Sequence, residues 1–179
     1  PPGWENDFAR ALAQLESVDP QWGVLGPVGM GLDPTNCGRR QFVGHWSDPA
    51  GYHRLGELPA EVQSLDEQWL CIRRNSGLAF DAALPGLHCY GVDLCLTARS
   101  RGLNCYAIDA FSWHKHRTPD GTPILRREDS AKITRRTSVA FIREVQPSYR
   151  YVALKWRAWY PFISTSMDWI DPDTPVYGC

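Results

Sequence analysis

The sequence predicts an α/β fold on three observations. A helical stripe opens the chain, short apolar runs broken by glycine and proline follow it, and a helix, a glycine stop and a strand succeed one another between Val92 and Phe111. With 179 residues, 43% hydrophobic and 12% aromatic, the chain is long enough to bury one substantial core and short for two, so 1–179 is expected to form a single domain.

The opening stretch, "GWENDFARALAQLES", places Trp4, Phe8, Ala11, Leu12 and Leu15 at steps of three and four, the period of a helix with one buried face. Asp19-Pro20 ends it. "WGVLGPVGM" then reads as a buried strand that empties into a loop from Gly29 to Gly38, and "RQFVGHW" as a second strand. "SDPAGYHRLGELPAEV" is a polar excursion punctuated by proline and glycine. In "EQWLCIRR" the run Trp69, Leu70, Cys71, Ile72 is too continuously apolar for a sheet wetted on one face, which predicts a central strand. Val92, Cys95, Leu96 and Ala98 mark a helix to about Arg101, stopped by Gly102, and "LNCYAIDAF" follows as a strand. The segment "KHRTPDGTPILRREDSAKITRR" is polar and reads as a loop, and a last helix is expected from about Pro147 to Trp159, followed by a tail.

Lys and Arg total 19 against 20 Asp and Glu, a formal net charge of −1, which gives no electrostatic reason to expect nucleic acid or an anionic membrane as partner. No window approaches the run of about 18 apolar residues that a bilayer span needs, so no transmembrane segment is expected and a cytoplasmic location is. The six cysteines, at 37, 71, 89, 95, 105 and 179, form no CxxC pair, and several sit in apolar runs, where a thiol behaves as a small hydrophobe. Core thiols are expected rather than disulfides or a structural zinc site. The chain begins at Pro1, which suggests a piece of a longer protein.

Several residues are candidates for chemistry. Asp93 stands where a loop becomes a helix, either as an acid favoured by the helix dipole or as a general base held at a cleft edge. His114 and His116 share one face of a strand end, as polar surface or as ligands of a metal ion. Asp66 and Glu67 precede an apolar strand, as charged entry residues or facing a polar ligand. Trp22, Trp46, Trp69, Trp113, Trp156 and Trp159 border predicted elements, most as core and a minority as cleft lining.

The ordered pieces "WGVLGPVGM", "FVGHW", "VQSLDEQWLCIRR", "GLAFDAALPGLHCYGVDLCLTARSRGLNCYAID" and "WHKH", spanning about residues 20 to 116, resemble the second half of a GT-A glycosyltransferase of the inverting family 2 type. The tail "LKWRAWYPFISTS" is similar to an aromatic C-terminal segment of some members. The resemblance implies a partial GT-A-like fold, a mixed sheet flanked by helices that lacks most of the N-terminal nucleotide-binding half. It also implies transfer of a sugar from a nucleotide-sugar donor to a sugar or glycan acceptor with inversion, assisted by a divalent cation, Mn or Mg, bound together with the donor. Asp93 would be the base, and Asp66, Glu67, His88, Tyr90 and Trp113 would hold donor or acceptor. His114 and His116 would contact the metal or diphosphate. Where members carry Glu-Asp ahead of that acid, this chain has Tyr90 and Gly91. The alternatives are a catalytically inactive sugar-binding or scaffolding module of the same fold and a metal hydrolase built on His88, His114 and His116.

Overall fold

The computed structural model describes residues 3–31, 41–48, 51–114, 139–159, 163–165 and 169–170. Among the described residues, three helices and eleven short strands form a mixed α/β structure. Helix α1, Trp4–Glu16, buries Ala11 and Leu15 and lays Trp4, Phe8 and Leu12 against the same core, the stripe its periodicity predicts. The stripe is extended by rings: Trp69 meets Trp4 and Phe8 edge-on at 5.6 and 5.8 Å.

The apolar run "WGVLGPVGM" does not form one strand. It forms two, β1 (Val24–Gly26) and β2 (Val28–Met30), separated by Pro27 and belonging to different sheets. Proline has no N–H for a ladder, so the run breaks there and the carbonyls on either side are taken by different neighbours. Gly26 O accepts from Ile108 N–H and Pro27 O from His45 N–H, both at 3.0 Å. At this crossing the chains come so close that a Cβ on Gly44, whose φ is +149°, would lie 2.4 Å from Pro27 O.

The first sheet has the order β5 (Ala60–Glu61), β8 (Cys105–Ala107), β1, β7 (Cys71–Ile72), with β1 and β8 parallel and the outer pairings antiparallel. The expected central position of "EQWLCIRR" is therefore wrong: β7 is an edge. Its apolar continuity has another cause, since Trp69 and Cys71 pack on the α1 core while Leu70 and Ile72 pack on the core under helix α2. Two covered faces require no second neighbour strand.

The second sheet has the order β4 (Gly51–Leu55), β3 (Phe42–Asp48), β2, β6 (Ser64–Leu65), with β9 (Ser112–Trp113) added in parallel to β3. The polar "SDPAGYHRLGELPAEV" thus contains a strand, β4, hydrogen-bonded to β3 over five residue pairs from Gly44↔Leu55 to Asp48↔Gly51. Its solvent exposure at a sheet edge explains why it carries no apolar signal.

Helix α2, Tyr90–Ser100, runs as expected into the positive-φ Gly102 and then β8. Helix α3, Val139–Trp156, starts upstream of the expected Pro147, which lies inside it. α3 packs on α2 through Val145, Tyr149, Val152, Ala153 and Trp156 against Cys89, Val92 and Leu96. A short pair, β10 (Ile163–Ser164) with β11 (Trp169–Ile170), follows within the stretch read as a tail. It is tied back by Ser164 N–H donating to Gln63 Oε1 at 2.7 Å.

Cys71, Cys89, Cys95 and Cys105 are free thiols, and the last three are buried, as core thiols should be. Burial pushes the Cys89 and Cys95 thiols well above their ordinary value, which makes them inert. Cys37, Cys179 and the stretch 115–136 that the sequence reads as a loop lie outside the described residues. No helix among the described residues is long and apolar enough to cross a membrane.

Candidate acid-base site at the start of helix α2

Helix α2 begins without a cap of its own, because Cys89 occupies the N-cap with φ 64° and contributes no side-chain hydrogen bond. The orphan donors of a first turn must find acceptors elsewhere. One is supplied from 24 residues upstream: Glu67 Oε1 accepts from Gly91 N–H at 3.0 Å. Gly91 permits this approach, since a Cβ there would lie 3.0 Å from both Glu67 Cγ and Leu65 O. Tyr90 completes the wall, its hydroxyl donating to Glu67 O at 3.3 Å and its ring meeting Phe80 edge-on at 5.6 Å. Gln68, next in sequence, accepts from Ser112 Oγ at 2.9 Å, fixing the same turn to β9.

Electrostatics single out Glu67. Burial raises its carboxyl to about 7, and the negative charge of Asp66 adds to this, while the N–H groups of Gly91 and Tyr90 pull the other way without cancelling it. The Tyr90 phenol is pushed up by burial and then by Glu67 and Asp66. The site is therefore a half-buried carboxyl that is close to half protonated at neutral pH, beside a second carboxylate and a neutral phenol. Gly91→Ala is expected to cost roughly 1–3 kcal/mol through overpacking and to expose Glu67 to water, lowering its pKa. Denaturant unfolding of the variant and an NMR titration of Glu67 check both effects.

Asp93 is treated differently. Its side chain is 3% exposed, and it faces α3. Trp156 Nε1–H donates to Oδ1 at 2.7 Å, and Lys155 Nζ lies 2.8 and 2.9 Å from the two oxygens. Lys155 also donates to Asp81 Oδ2 at 2.7 Å, where the Tyr151 hydroxyl donates as well. Although burial works against the ammonium, its bonds to Asp81 and Asp93 hold Lys155 above its ordinary value. Lys155 and Tyr151 hold Asp81 down at about 2. Asp93 thus joins α2, α3 and the 77–86 segment through one shared cation.

The other expected site residues are scattered. His88 Nε2 lies 3.4 Å from Glu144 Oε1 on α3. Trp113 is 58% exposed on β9. His114 continues that strand, its N–H donating to Ser47 O at 2.8 Å. His116, the second of the pair expected to hold the cation, lies outside the described residues. Among the described residues no three His, Cys, Asp or Glu gather as metal ligands would. Of the expected site residues that are described, Asp66, Glu67 and Tyr90 meet in one place. Lys155, Asp81 and Tyr151 carried no sequence signal, because the bonds that join Lys155 to the two acids span 62 and 74 residues.

Fold and site define a mixed α/β protein with a near-neutral carboxyl at a helix start. No family model matches the chain. The chain is similar to a protein of Fuscovulum blasticum described as ATP synthase subunits region ORF 6, with 37% identity over 110 residues. That match covers 61% of this chain and 44% of the relative, so the chain spans less than half the relative's length. These findings overturn the glycosyltransferase resemblance. The similarity found leads to a protein whose name places it in an ATP synthase subunits region and mentions no sugar transfer, and no family model matches. The inverting transferase, its nucleotide-sugar donor and glycan acceptor, and the inactive sugar-binding module and metal hydrolase weighed beside it are accordingly withdrawn. The mixed α/β architecture stands, without the GT-A assignment.

Proposed function

We propose that the chain exchanges a proton with a small polar ligand at Glu67, the carboxyl acting as general acid or base beside Asp66 and Tyr90. The observation that carries this reading is the placement of the Glu67 carboxyl, packed against the first turn of α2 with Gly91 N–H 3.0 Å from Oε1 and Asp66 beside it, where burial raises it to about 7. An ordinary surface carboxylate is a poor proton donor at neutral pH, whereas one poised near 7 supplies both protonation states in useful amounts. The protonated form can donate to a ligand. The ionised form accepts the hydrogen bond that Gly91 N–H donates, which limits the cost of losing the proton.

The adjacent Asp66 and the raised Tyr90 phenol favour a ligand that presents hydrogen-bond donors, an alcohol or an amine, over an anion. No step is routed through a metal ion. The relative's name supports an ATP synthase-related setting for the chain, and the proposal assigns no contact with the synthase.

Amide chemical shifts of the 15N-labelled chain, recorded against a panel of small alcohols, amines and amino alcohols, test the reading. It predicts perturbations at Tyr90 and Gly91 whose size changes between pH 5.5 and 8.5 and which disappear in Glu67→Gln. Perturbations that are the same at both pH values and in the variant would remove Glu67 from the proposal.

A further inference from the structure

The β3–β4 hairpin carries a second constellation, independent of Glu67. His45 on β3 stands directly opposite Arg54 and diagonal to Tyr52 on β4, whose residues 52 and 54 share one face. On that face His45 Nδ1 lies 2.5 Å from Asp109 Oδ1, and His45 Nε2 lies 2.6 Å from the Tyr52 hydroxyl. Arg54 Nη2 donates to the second Asp109 oxygen at 2.7 Å. Phe111 packs on the imidazole at 4.8 Å and on the Tyr52 ring at 5.7 Å, which holds both rings in place. The opposite face of the hairpin is closed by Trp46 stacked on His53 at 4.6 Å.

We propose that Asp109, His45 and Tyr52 form a nucleophilic relay in which the Tyr52 phenol accepts an acyl group from an activated ester. Each member has a role its contacts define. Asp109, fixed by Arg54, accepts from His45 Nδ1–H and so selects the tautomer whose Nε2 is free to take a proton. Nε2 faces the phenol, making His45 the base and Tyr52 the nucleophile. Tyr52 is 63% exposed, within reach of an ester in solution, while His45 is 12% exposed and shielded. In the step, the Tyr52 oxygen attacks the acyl carbon as its proton passes to Nε2. The bond from that carbon to the leaving oxygen breaks, and the departing alkoxide keeps the electron pair and recovers the proton from His45. The products are O-acyl-Tyr52 and an alcohol. Arg54 adds a permanent positive charge on the face where the carbonyl oxygen becomes negative.

Two other tyrosines supply a contrast: the Tyr106 and Tyr151 hydroxyls donate to the carboxylates of Asp19 and Asp81, which are weaker proton acceptors than an imidazole. Burial and then Asp19 hold the Tyr106 phenol above its ordinary value, and the bond to Asp81 does the same for Tyr151.

The test uses the chain with 4-nitrophenyl acetate, followed by proteolysis and mass spectrometry to locate the acetyl group. The relay predicts acetylation of Tyr52 at least about tenfold faster than of Tyr151, and a loss of at least about tenfold in His45→Gln. The within-chain comparison needs no variant, so it holds whether or not His45→Gln folds. For Asp109, a positioning residue, 15N shifts of His45 should show Nδ1–H in the parent chain and a move toward Nε2–H in Asp109→Asn, together with slower acetylation. Tyr52 modified no faster than Tyr151, acetyl found on His45 with Tyr52 untouched, or a rate unchanged in His45→Gln would each overturn the proposal.

Discussion

Replacing Asp93 with alanine is expected to destabilise the chain by about 3–5 kcal/mol, the cost of breaking a buried ion pair from one side. The carboxylate is the acceptor for Trp156 Nε1–H and one of two acids on Lys155. Without it, the indole N–H of a residue only 6% exposed loses the Asp93 acceptor, and the ammonium loses one of its two acids and keeps Asp81. Both losses fall on the packing of α2 against α3, so a fall in Tm of roughly 10 °C should accompany the change. Asp93→Asn keeps an acceptor for Trp156 and removes only the charge, and is expected to lose less. Urea unfolding of the two variants checks the order. A parent-like stability in Asp93→Ala would mean that Lys155 and Trp156 do not depend on this carboxylate.

Glu67→Gln is expected to stabilise the chain at high pH. The folded chain holds the Glu67 proton up to about pH 7, whereas the ordinary value is 4.5. A raised carboxyl pKa contributes stability that is complete below pH 4.5 and is lost as pH rises through 7, because the folded state binds the proton that the unfolded state releases. Above that window the parent chain bears the cost of a half-buried carboxylate. Glutamine keeps an oxygen for Gly91 N–H and carries no charge. The variant should therefore match the parent near pH 4.5 and exceed it by on the order of 2 kcal/mol at pH 8. Urea unfolding at a series of pH values measures the difference directly, and a difference that does not change with pH would remove the raised pKa.

Much of the fold was legible where burial is one-sided and periodic. The stripe of α1, the apolar positions of β3 and the passage from α2 through Gly102 to β8 all follow from local patterns. What was not legible depended on neighbours. Pro27 sits inside an apolar run that looks like one strand, and only the two sheets it serves divide the run. Leu70 to Ile72 looked central because both faces are covered, yet the cover comes from two cores and not from two strands. Pro147 marked an expected helix start because proline favours that position, but α3 continues through it.

The site shows the same division. Asp66, Glu67 and Tyr90 were named from sequence, but Tyr90-Gly91 read as a vacancy where the resemblance expected two acids. Gly91 is instead the contact that admits Glu67, a role that depends on a backbone 24 residues away. His45 showed no sequence pattern because its partners are set by hairpin register and by Asp109, 64 residues on.

The chemistry proposed at the start of α2 turns on the protonation of one carboxyl. A 13C NMR titration of the Glu67 side chain, assigned by comparison with Glu67→Gln, measures it without any ligand. The account predicts a midpoint near 7. A midpoint near the ordinary 4.5 would contradict it.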